Sequence, residues 1–441
     1  MRNTLVPFPG GPNMQPTLRV VLLVGISLSL IASGCSRNLF DNIFGSSSSG
    51  DGSTPGPDPK LAKVAVDPRL LDANERFAIN LFKQLAGSAN SNLFISPASV
   101  SLALYMTING ASGTARDQMA QTLAIQGISL EDLNSAGKIL LSNLVYGDDK
   151  VTLKIANSLW GRYDVPFEPA FLSRNWKSYA AKITAMDFSA PDALATINGW
   201  IADNTGGRIV DMLDEIPGNV VLYLINAIYF KADWSLPFAD NMTMPSNFTA
   251  PDGSDRPVEL MHQTESFPYL ETDDFQAVSL PYGDEGRFSM YLFLPSKALG
   301  VPGFVSALTP ETWSTWMDSF TAKEGTVILP KLSMRWRKLL NDDLKAMGMI
   351  APFSSSEDFA PMTLDDRELW ISRVIHETFL GMDEDGTEAT GATIVEMREK
   401  SFAPEFEIRL DRPFITAIRD NVTGTILFMG IIADPVIASS Q

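Results

Sequence analysis

The segment Gly386–Ser401, near the end of this 441-residue chain, constrains the fold more than any other stretch. Its residues alternate with a period of two, the pattern of a β-strand with two different faces. Such small residues anchor a permanent core strand poorly, so the pattern predicts a segment that can leave water and slide between other strands. The segment ends in Lys400 and the small, polar Ser401, a bond that a trypsin-like protease would favour. The uncharged face consists of Thr387, Ala389, Gly391, Thr393, Val395 and Met397.

Charge and a shortage of reactive side chains exclude several classes of function. The net charge is −18 and the pI about 4.6, so a phosphate backbone would repel the protein and no nucleic-acid partner is expected. Cys35 is the single cysteine, which rules out an internal disulfide and a cysteine metal site. The histidines are His262 and His376, too few for a histidine-rich metal site. We expect neither a metal nor a cofactor, and we interpret the basic run Arg335–Lys338 as a solvated strand or turn.

The first 66 residues indicate export and tethering. Arg2 and Arg19 precede a short apolar run, Val20–Ile31, which is typical of a signal peptide over residues 1–34. The run ends at Cys35 in a sequence that resembles a bacterial lipobox, with an ordinary signal peptide and a chance cysteine as the alternative. Residues 35–66, rich in serine, glycine and proline, are predicted to be a lipidated cysteine followed by a flexible tether. We therefore expect an exported protein of the cell envelope, lipid-anchored outside the cytoplasm, or an extracellular one.

Residues 67–441 read as one folded body of the α+β class, with helices early and strands late. Periodicity predicts a helix over Glu75–Ala86, and Ser96 with Pro97 is the favoured N-cap pair for another. Thr114–Asp117 indicates a second capping box. The apolar run Val220–Phe230 predicts a strand buried on both faces.

Five motifs follow one another along the chain: Asn92–Val100, Asn198–Ile201 with Thr205–Ile209, Asn226–Trp234, Glu384–Thr393, and the closing set Pro404, Arg412–Phe414 and Phe428–Gly430. In this order they make the sequence similar to the serpin family. The fourth motif has the acidic-Gly-Thr-Glu opening and the small residues of a serpin reactive-centre hinge.

The resemblance implies a serpin fold over residues 67–441, with three β-sheets, about nine helices and an exposed reactive-centre loop. It implies a buried polar cluster, the shutter, where the central sheet opens. It also implies that Trp234, Lys331 and Glu384 meet at the top of that sheet, the breach, with an ion pair between Lys331 and Glu384. The shutter residues would be Ser96, Ser99, Asn226 and His376.

The resemblance also implies a protease inhibitor and not an enzyme. A trypsin-like serine protease would attack Lys400 and form a covalent acyl complex, after which the severed loop would insert as a new strand; Arg398 is the rival position. The inhibitor is expected to be a monomer. Alternatives are a non-inhibitory serpin that acts as a cell-surface binding or chaperone-like protein and, from another class, a surface hydrolase, against which the apolar setting of His376 argues. The hinge would comprise Glu384, Gly386, Thr387, Glu388, Ala389, Thr390, Gly391, Ala392 and Thr393.

Overall fold

A computed structural model describes residues 56–87, 90–354, 356–365, 367–388 and 404–435, together with the backbone of residues 19–22. This part of the chain contains nine α-helices. They are α1 (Pro68–Ala86), α2 (Pro97–Ile108), α3 (Gly113–Thr122), α4 (Leu130–Val145), α5 (Pro169–Tyr179), α6 (Ala193–Asn204), α7 (Gly300–Ala307), α8 (Pro310–Met317) and α9 (Asn341–Ala346). Short 3-10 helices span Pro59–Leu61, Asp240–Met242, Ala351–Phe353 and Glu357–Met362.

The described strands form a seven-stranded sheet and a nine-stranded sheet. The strands of the first are β1 (Arg19–Leu22), β3 (Val151–Arg162), β4 (Lys182–Met186), β5 (Val220–Asp233), β11 (Leu332–Leu339), β12 (Ile371–Met382) and β13 (Gly386–Thr387). Those of the second are β2 (Leu93–Ile95), β6 (Met244–Thr249), β7 (Asp255–Glu271), β8 (Phe275–Pro281), β9 (Phe288–Pro295), β10 (Thr321–Pro330), β14 (Phe406–Arg409), β15 (Phe414–Asp420) and β16 (Ile426–Ile432).

The nine-stranded sheet has two parts that share β7. The first half of β7 pairs with β6, its middle and later residues pair with β10, and its last three residues pair with β8. The resemblance led us to expect three sheets; β7 joins two of them into one hydrogen-bonded ladder. The α+β class is confirmed.

The main core lies between the two sheets and the long helices α1 and α2. A second, smaller core lies on the opposite face of the seven-stranded sheet, beneath α6. There Trp200 meets Trp160 edge to face, with 6.5 Å between ring centroids. Both faces of β5 are therefore covered, which explains why almost every residue of this strand is apolar.

Short sequence patterns predicted the N-cap of α2 correctly and that of α3 incorrectly. Ser96 caps α2 as predicted, and its Oγ accepts a hydrogen bond from the Ser99 N–H. The predicted capping box at Thr114–Asp117 is wrong: the N-cap of α3 is Ser112, two residues earlier, and the helix begins at Gly113. Asp358, distant in sequence, caps this helix by accepting from the Ala115 N–H at 2.9 Å.

The N-terminal boundary of the folded body also differs from expectation. Residues 56–66, assigned to the tether, pack against α4, where Asn143 donates its side-chain amide to the carbonyls of Leu61 and Val64. Ala62 and Val66 are buried. The folded body therefore includes residues 56–66, eleven residues that the predicted boundary at 67 assigned to the tether.

Arg19–Leu22, within the predicted signal peptide, forms strand β1 of the seven-stranded sheet, parallel to both β5 and β12. Within the described residues, no helix is both long enough and apolar enough to span a membrane. Cys35 lies outside the described residues, so its lipidation stays a prediction.

Candidate functional site

The seven-stranded sheet contains a gap between β5 and β12. At the upper end β13 pairs with both strands, with Thr387 opposite Ala232 and Met382. At the lower end β1 pairs with both strands, over Val220–Leu224 of β5. Between these ends, in the described part of the chain, the facing edges of β5 and β12 have no strand partner. A cavity of about 30 Å³ lies there, and its lining includes Ser99, Ala103, Ile209, Asn226 and His376.

A buried polar cluster forms the floor of this gap. The structure brings together the four residues expected there: Ser96 donates its backbone N–H to His376 Nε2 at 2.9 Å, and Ser99 donates its hydroxyl to Asn226. Asn226 in turn donates to Asn157 Oδ1 at 2.8 Å. Sequence reasoning missed Asn157, although a polar residue in the buried strand β3 was an available signal.

His376 is neutral at physiological pH, because burial lowers its pKa to about 3. Its Nε2 accepts a hydrogen bond, so the ring proton is assigned to Nδ1. A histidine of this kind anchors the first turn of α2 to β12. It lacks the exposed nucleophile and acid partner that a hydrolase needs.

Trp234 fixes the hinge at the top of the gap. Its backbone N–H donates to the Asp385 carbonyl at 2.8 Å, and its indole N–H donates to the Asp383 carbonyl at 3.0 Å. Its ring stacks on Tyr282, with centroids 4.5 Å apart. The Tyr282 hydroxyl lies 2.6 Å from Thr387 Oγ1, a buried contact that holds the first hinge strand.

Lys331 and Glu384, which the resemblance places together, form an ion pair with 2.7 Å between Nζ and Oε2. Thr243 also donates to Glu384, at 2.7 Å, a contact that no sequence signal indicated. Partial burial acts to raise the pKa of Glu384, but the hydrogen bonds from Lys331 and Thr243 outweigh burial and lower that pKa. The carboxylate is thus held ionised at the base of the loop.

Gly386 is required where the hinge enters the sheet. A Cβ at this position would lie 2.1 Å from the carbonyl oxygen of Ala232, closer than any side chain tolerates. The hinge backbone can therefore approach β5 only without a side chain here.

Glu388 is the last described hinge residue, and its backbone leaves the strand geometry with φ of +54°. Its carboxylate lies 3.4 Å from Arg208, whose guanidinium covers the Phe379 ring at 4.9 Å from the centroid. Burial raises the pKa of Glu388, and Arg208 opposes that rise. The other predicted hinge and reactive residues, Ala389, Thr390, Gly391, Ala392, Thr393, Arg398, Lys400 and Ser401, lie outside the described residues.

An ion-pair clamp crosses the lower gap. We define it as the carboxylates of Asp211, Asp214 and Glu215, which follow α6, bound to arginines of β11 and β12. Asp214 meets Arg337 at 3.0 Å, and Glu215 meets Arg373 at 3.1 Å. Arg335, bound to Asp211, also bonds the buried carboxylate of Glu377.

The ion pairs of the clamp change our interpretation of the basic run Arg335–Lys338 as a solvated strand or turn. Arg335 and Arg337 do lie on a strand, β11, but their guanidiniums are committed to carboxylates. Burial raises the pKa of Glu377, an effect that the hydrogen bond from Arg335 opposes. Widening the gap between β5 and β12 must shift these pairs, because the carboxylates follow α6, which packs on β5, whereas the arginines lie on β11 and β12.

Comparison with known proteins agrees with this geometry. The family model described as serpin, serine protease inhibitor, matches residues 72–435. Bovine leukocyte elastase inhibitor is 34% identical over 381 residues, covering 83% of this chain and 100% of the relative. An uncharacterized serpin-like protein of Thermococcus kodakarensis is 34% identical over 382 residues, covering 85% and 88% of the two chains. The chain belongs to the serpin family of protease inhibitors.

Solved structures give the same result. Tengpin, a thermophilic serpin in its native state, superposes with a TM-score of 0.77 at 31% identity, covering 84% of this chain and 95% of tengpin. Human thyroxine-binding globulin, solved with thyroxine, gives a TM-score of 0.76 at 26% identity, covering 83% and 99%.

The depressed pKa of His376 predicts how stability depends on pH. An unfolded histidine takes up a proton below its ordinary pKa of 6.5, whereas the native one resists protonation to about 3. The native state therefore loses stability as the pH falls from 6.5 towards 3, by up to about 1.4 kcal/mol per pH unit. His376→Gln can still accept from Ser96 and does not titrate there, so its free energy of unfolding should fall less steeply.

Urea unfolding of both proteins at pH values from 7 to 4 measures this difference. The carboxylates are common to the two proteins and cancel in the comparison. Equal slopes would show that His376 is not held neutral by the fold.

Proposed function

We propose that this serpin inhibits trypsin-like serine proteases by suicide trapping, with Lys400–Ser401 as the reactive bond. The observation that carries the proposal is the gap between β5 and β12, which the hinge has already entered with two residues. Strand edges without partners can pair with one more strand once β5 and β12 separate. The predicted reactive loop follows β13 directly in the sequence.

The observed register supports this use of the gap. Thr387 lies opposite Ala232 of β5 and Met382 of β12. Continuing the same antiparallel register places Ala389 opposite Phe230, Gly391 opposite Ile228 and Val395 opposite Leu224. Thr393 would lie between Asn226 and His376.

The two faces of the loop sequence also match the two sides of the seven-stranded sheet. Directly opposite residues of antiparallel strands point to the same side of a sheet. Phe230 points into the main core, where its ring lies 5.0 Å from that of Tyr282. The uncharged face of the loop, which includes Ala389 and Thr393, would therefore enter the core, while Glu388 stays on the side of Arg208.

The proposed reaction follows from this geometry. The protease serine attacks the Lys400 carbonyl, the Lys400–Ser401 peptide bond breaks, and Ser401 leaves with a new amino group. The acyl-enzyme is then carried with the loop as the loop inserts. About ten new backbone hydrogen bonds at ~1 kcal/mol each provide a driving force comparable to a domain's whole stability. Deformation of the protease then prevents hydrolysis of the acyl bond.

Lys400 sets the proposed target class. The mammalian relatives carry the name leukocyte elastase inhibitor. A lysine side chain is long and cationic, and it fits a deep pocket with an acid at its base, whereas elastase has a small pocket. The target expected here is therefore trypsin-like.

The alternative is a non-inhibitory serpin that binds a partner at the cell surface. Thyroxine-binding globulin, solved with thyroxine, illustrates a binding protein of this fold. The hinge composition favours inhibition, because Ala389, Gly391 and Thr393 are small and uncharged on the face that would be buried.

We also propose that the protein is exported, anchored through lipidated Cys35 and monomeric. The support is the apolar run before Cys35, the low-complexity stretch Ser46–Pro55 after it, and the position of the single cysteine at that boundary. A tethered inhibitor of this kind would act outside the cytoplasm.

The first prediction concerns trapping. Processed protein without residues 1–34, incubated with trypsin, should give a complex that survives boiling in denaturing electrophoresis. Ala389→Arg would bury an unpaired cation opposite Phe230, so the variant should be cleaved with trapping lost.

Thr390→Arg is the matched control. By the same register Thr390 lies opposite partly exposed Tyr229, on the solvent side, so this variant should still trap trypsin. Full trapping by Ala389→Arg, or equal loss in both variants, would show that the inward face is misassigned.

The second prediction concerns the reactive bond. Mass spectrometry of the peptide released from the complex should find a fragment that begins at Ser401. A fragment beginning at Glu399 would instead assign the bond to Arg398. Lys400→Leu should shift inhibition towards chymotrypsin-like proteases and leave trapping intact.

The third prediction concerns the anchor. Cys35→Ser should move the protein from the membrane fraction to the soluble exported fraction, because the acylated residue is lost. Wild-type protein that is already soluble and carries no lipid mass on Cys35 would overturn the anchoring proposal.

A further inference from the structure

The lower end of the gap is occupied by β1, a strand from the chain's own N-terminal segment. Arg19–Leu22 pairs with Val220–Leu224 of β5 and with Ile371–Val374 of β12. It runs parallel to both neighbours, whereas β13 at the upper end runs antiparallel. The two ends of the gap are thus filled from opposite ends of the sequence.

The register shows that β1 and the reactive loop compete for the same strand edges. Continued from Thr387, the loop would place Val395 opposite Leu224 and Met397 opposite Leu222. Those two residues of β5 are paired with Leu22 and Val20 of β1. On β12, Val395 would meet Val374, the partner of Leu22.

The loop and β1 would compete only for the lower part of the gap. Loop residues up to about position 394 would lie opposite Ile225 and residues above it, in the part of the gap that has no strand partner among the described residues. Only the second half of the loop needs the edges held by β1. A chain that retains β1 could therefore begin insertion and stop midway.

We propose that the lower gap is a binding site for an extended apolar peptide, that Arg19–Leu22 is its resident occupant in the unprocessed chain, and that this occupancy prevents complete insertion of the reactive loop. Main-chain pairing supplies the binding, as in other strand additions to open sheet edges. Because Arg19–Leu22 lies in the segment predicted to be removed before Cys35, the block would last only until processing. The consequence for inhibition rests on the proposed function; the occupancy itself does not.

Two peptides added to the unprocessed full-length chain test the occupancy without any protease. The long peptide has the sequence of residues 389–399 and needs the whole gap, whereas the short peptide, residues 389–394, needs only its upper part. Val21→Pro removes a backbone donor in the middle of β1 and should expel the strand. We expect the long peptide to bind Val21→Pro at least about tenfold more tightly than wild type, and the short peptide to bind both equally.

Leu28→Pro is the matched control, with the same substitution in the same apolar run but outside β1. It should bind the long peptide as weakly as wild type does. Equal binding of the long peptide to wild type and Val21→Pro would overturn the proposal, as would restored binding in both proline variants. Absence of a trypsin complex with Val21→Pro would refute the proposed inhibition instead, and the peptide measurements would still decide the occupancy.

Discussion

The structure depends on an incomplete strand ladder at the centre of its largest core. Residues of β5 and β12 face each other across a gap in which, within the described part of the chain, no strand joins them between Leu224 and Ala232. Buried backbone groups are paired in almost all native proteins. Each pairing that a new strand adds contributes about 1 kcal/mol, and the whole stability of a domain is about 5–15 kcal/mol. By this estimate, the proposed inhibitor would be more stable with the loop in the gap than with the gap open.

In the proposed mechanism, a barrier and not a lack of driving force would keep the loop out of the gap. The clamp pairs are largely exposed, with side chains of Asp214 and Glu215 about 70% accessible, and exposed pairs are worth ~0–1 kcal/mol each. These ion pairs alone cannot outweigh the free energy that the new backbone hydrogen bonds would contribute. Trp160 and Trp200 lie in the small core between the seven-stranded sheet and α6, so α6 should move with β5 when β5 and β12 separate. That movement would draw the clamp carboxylates away from the arginines of β11 and β12.

The sequence predicted features that depend on neighbouring residues and on burial better than features that depend on residues far apart along the chain. Ser96 as an N-cap, β5 as a doubly buried strand and His376 as a core histidine depend on neighbours along the chain and on burial, and all three agree with the structure. The wrong cap at Thr114 and the missed clamp depend on Asp358, Arg335 and Arg337, which tertiary folding brings from far along the chain. Ala62 and Val66 are too few apolar residues to reveal that the end of the predicted tether is packed.

The size of the cavity explains why the hinge residues must be small. A volume of about 30 Å³ between Asn226 and His376 holds at most a couple of water molecules. If the register of Thr387 continued into the loop, Thr393 would lie at this level, with Gly391 and Val395 on either side of it. Before the strands separate, no large side chain could enter beside the neutral His376 ring, and a charged one would lose its hydration against a cluster whose hydrogen bonds are already made. In the proposed insertion, small side chains would therefore lower the barrier at the level of this cavity. Val395 and Met397 would follow only after those residues had opened the gap, so the order of residue sizes along the loop would match the order in which the gap must widen.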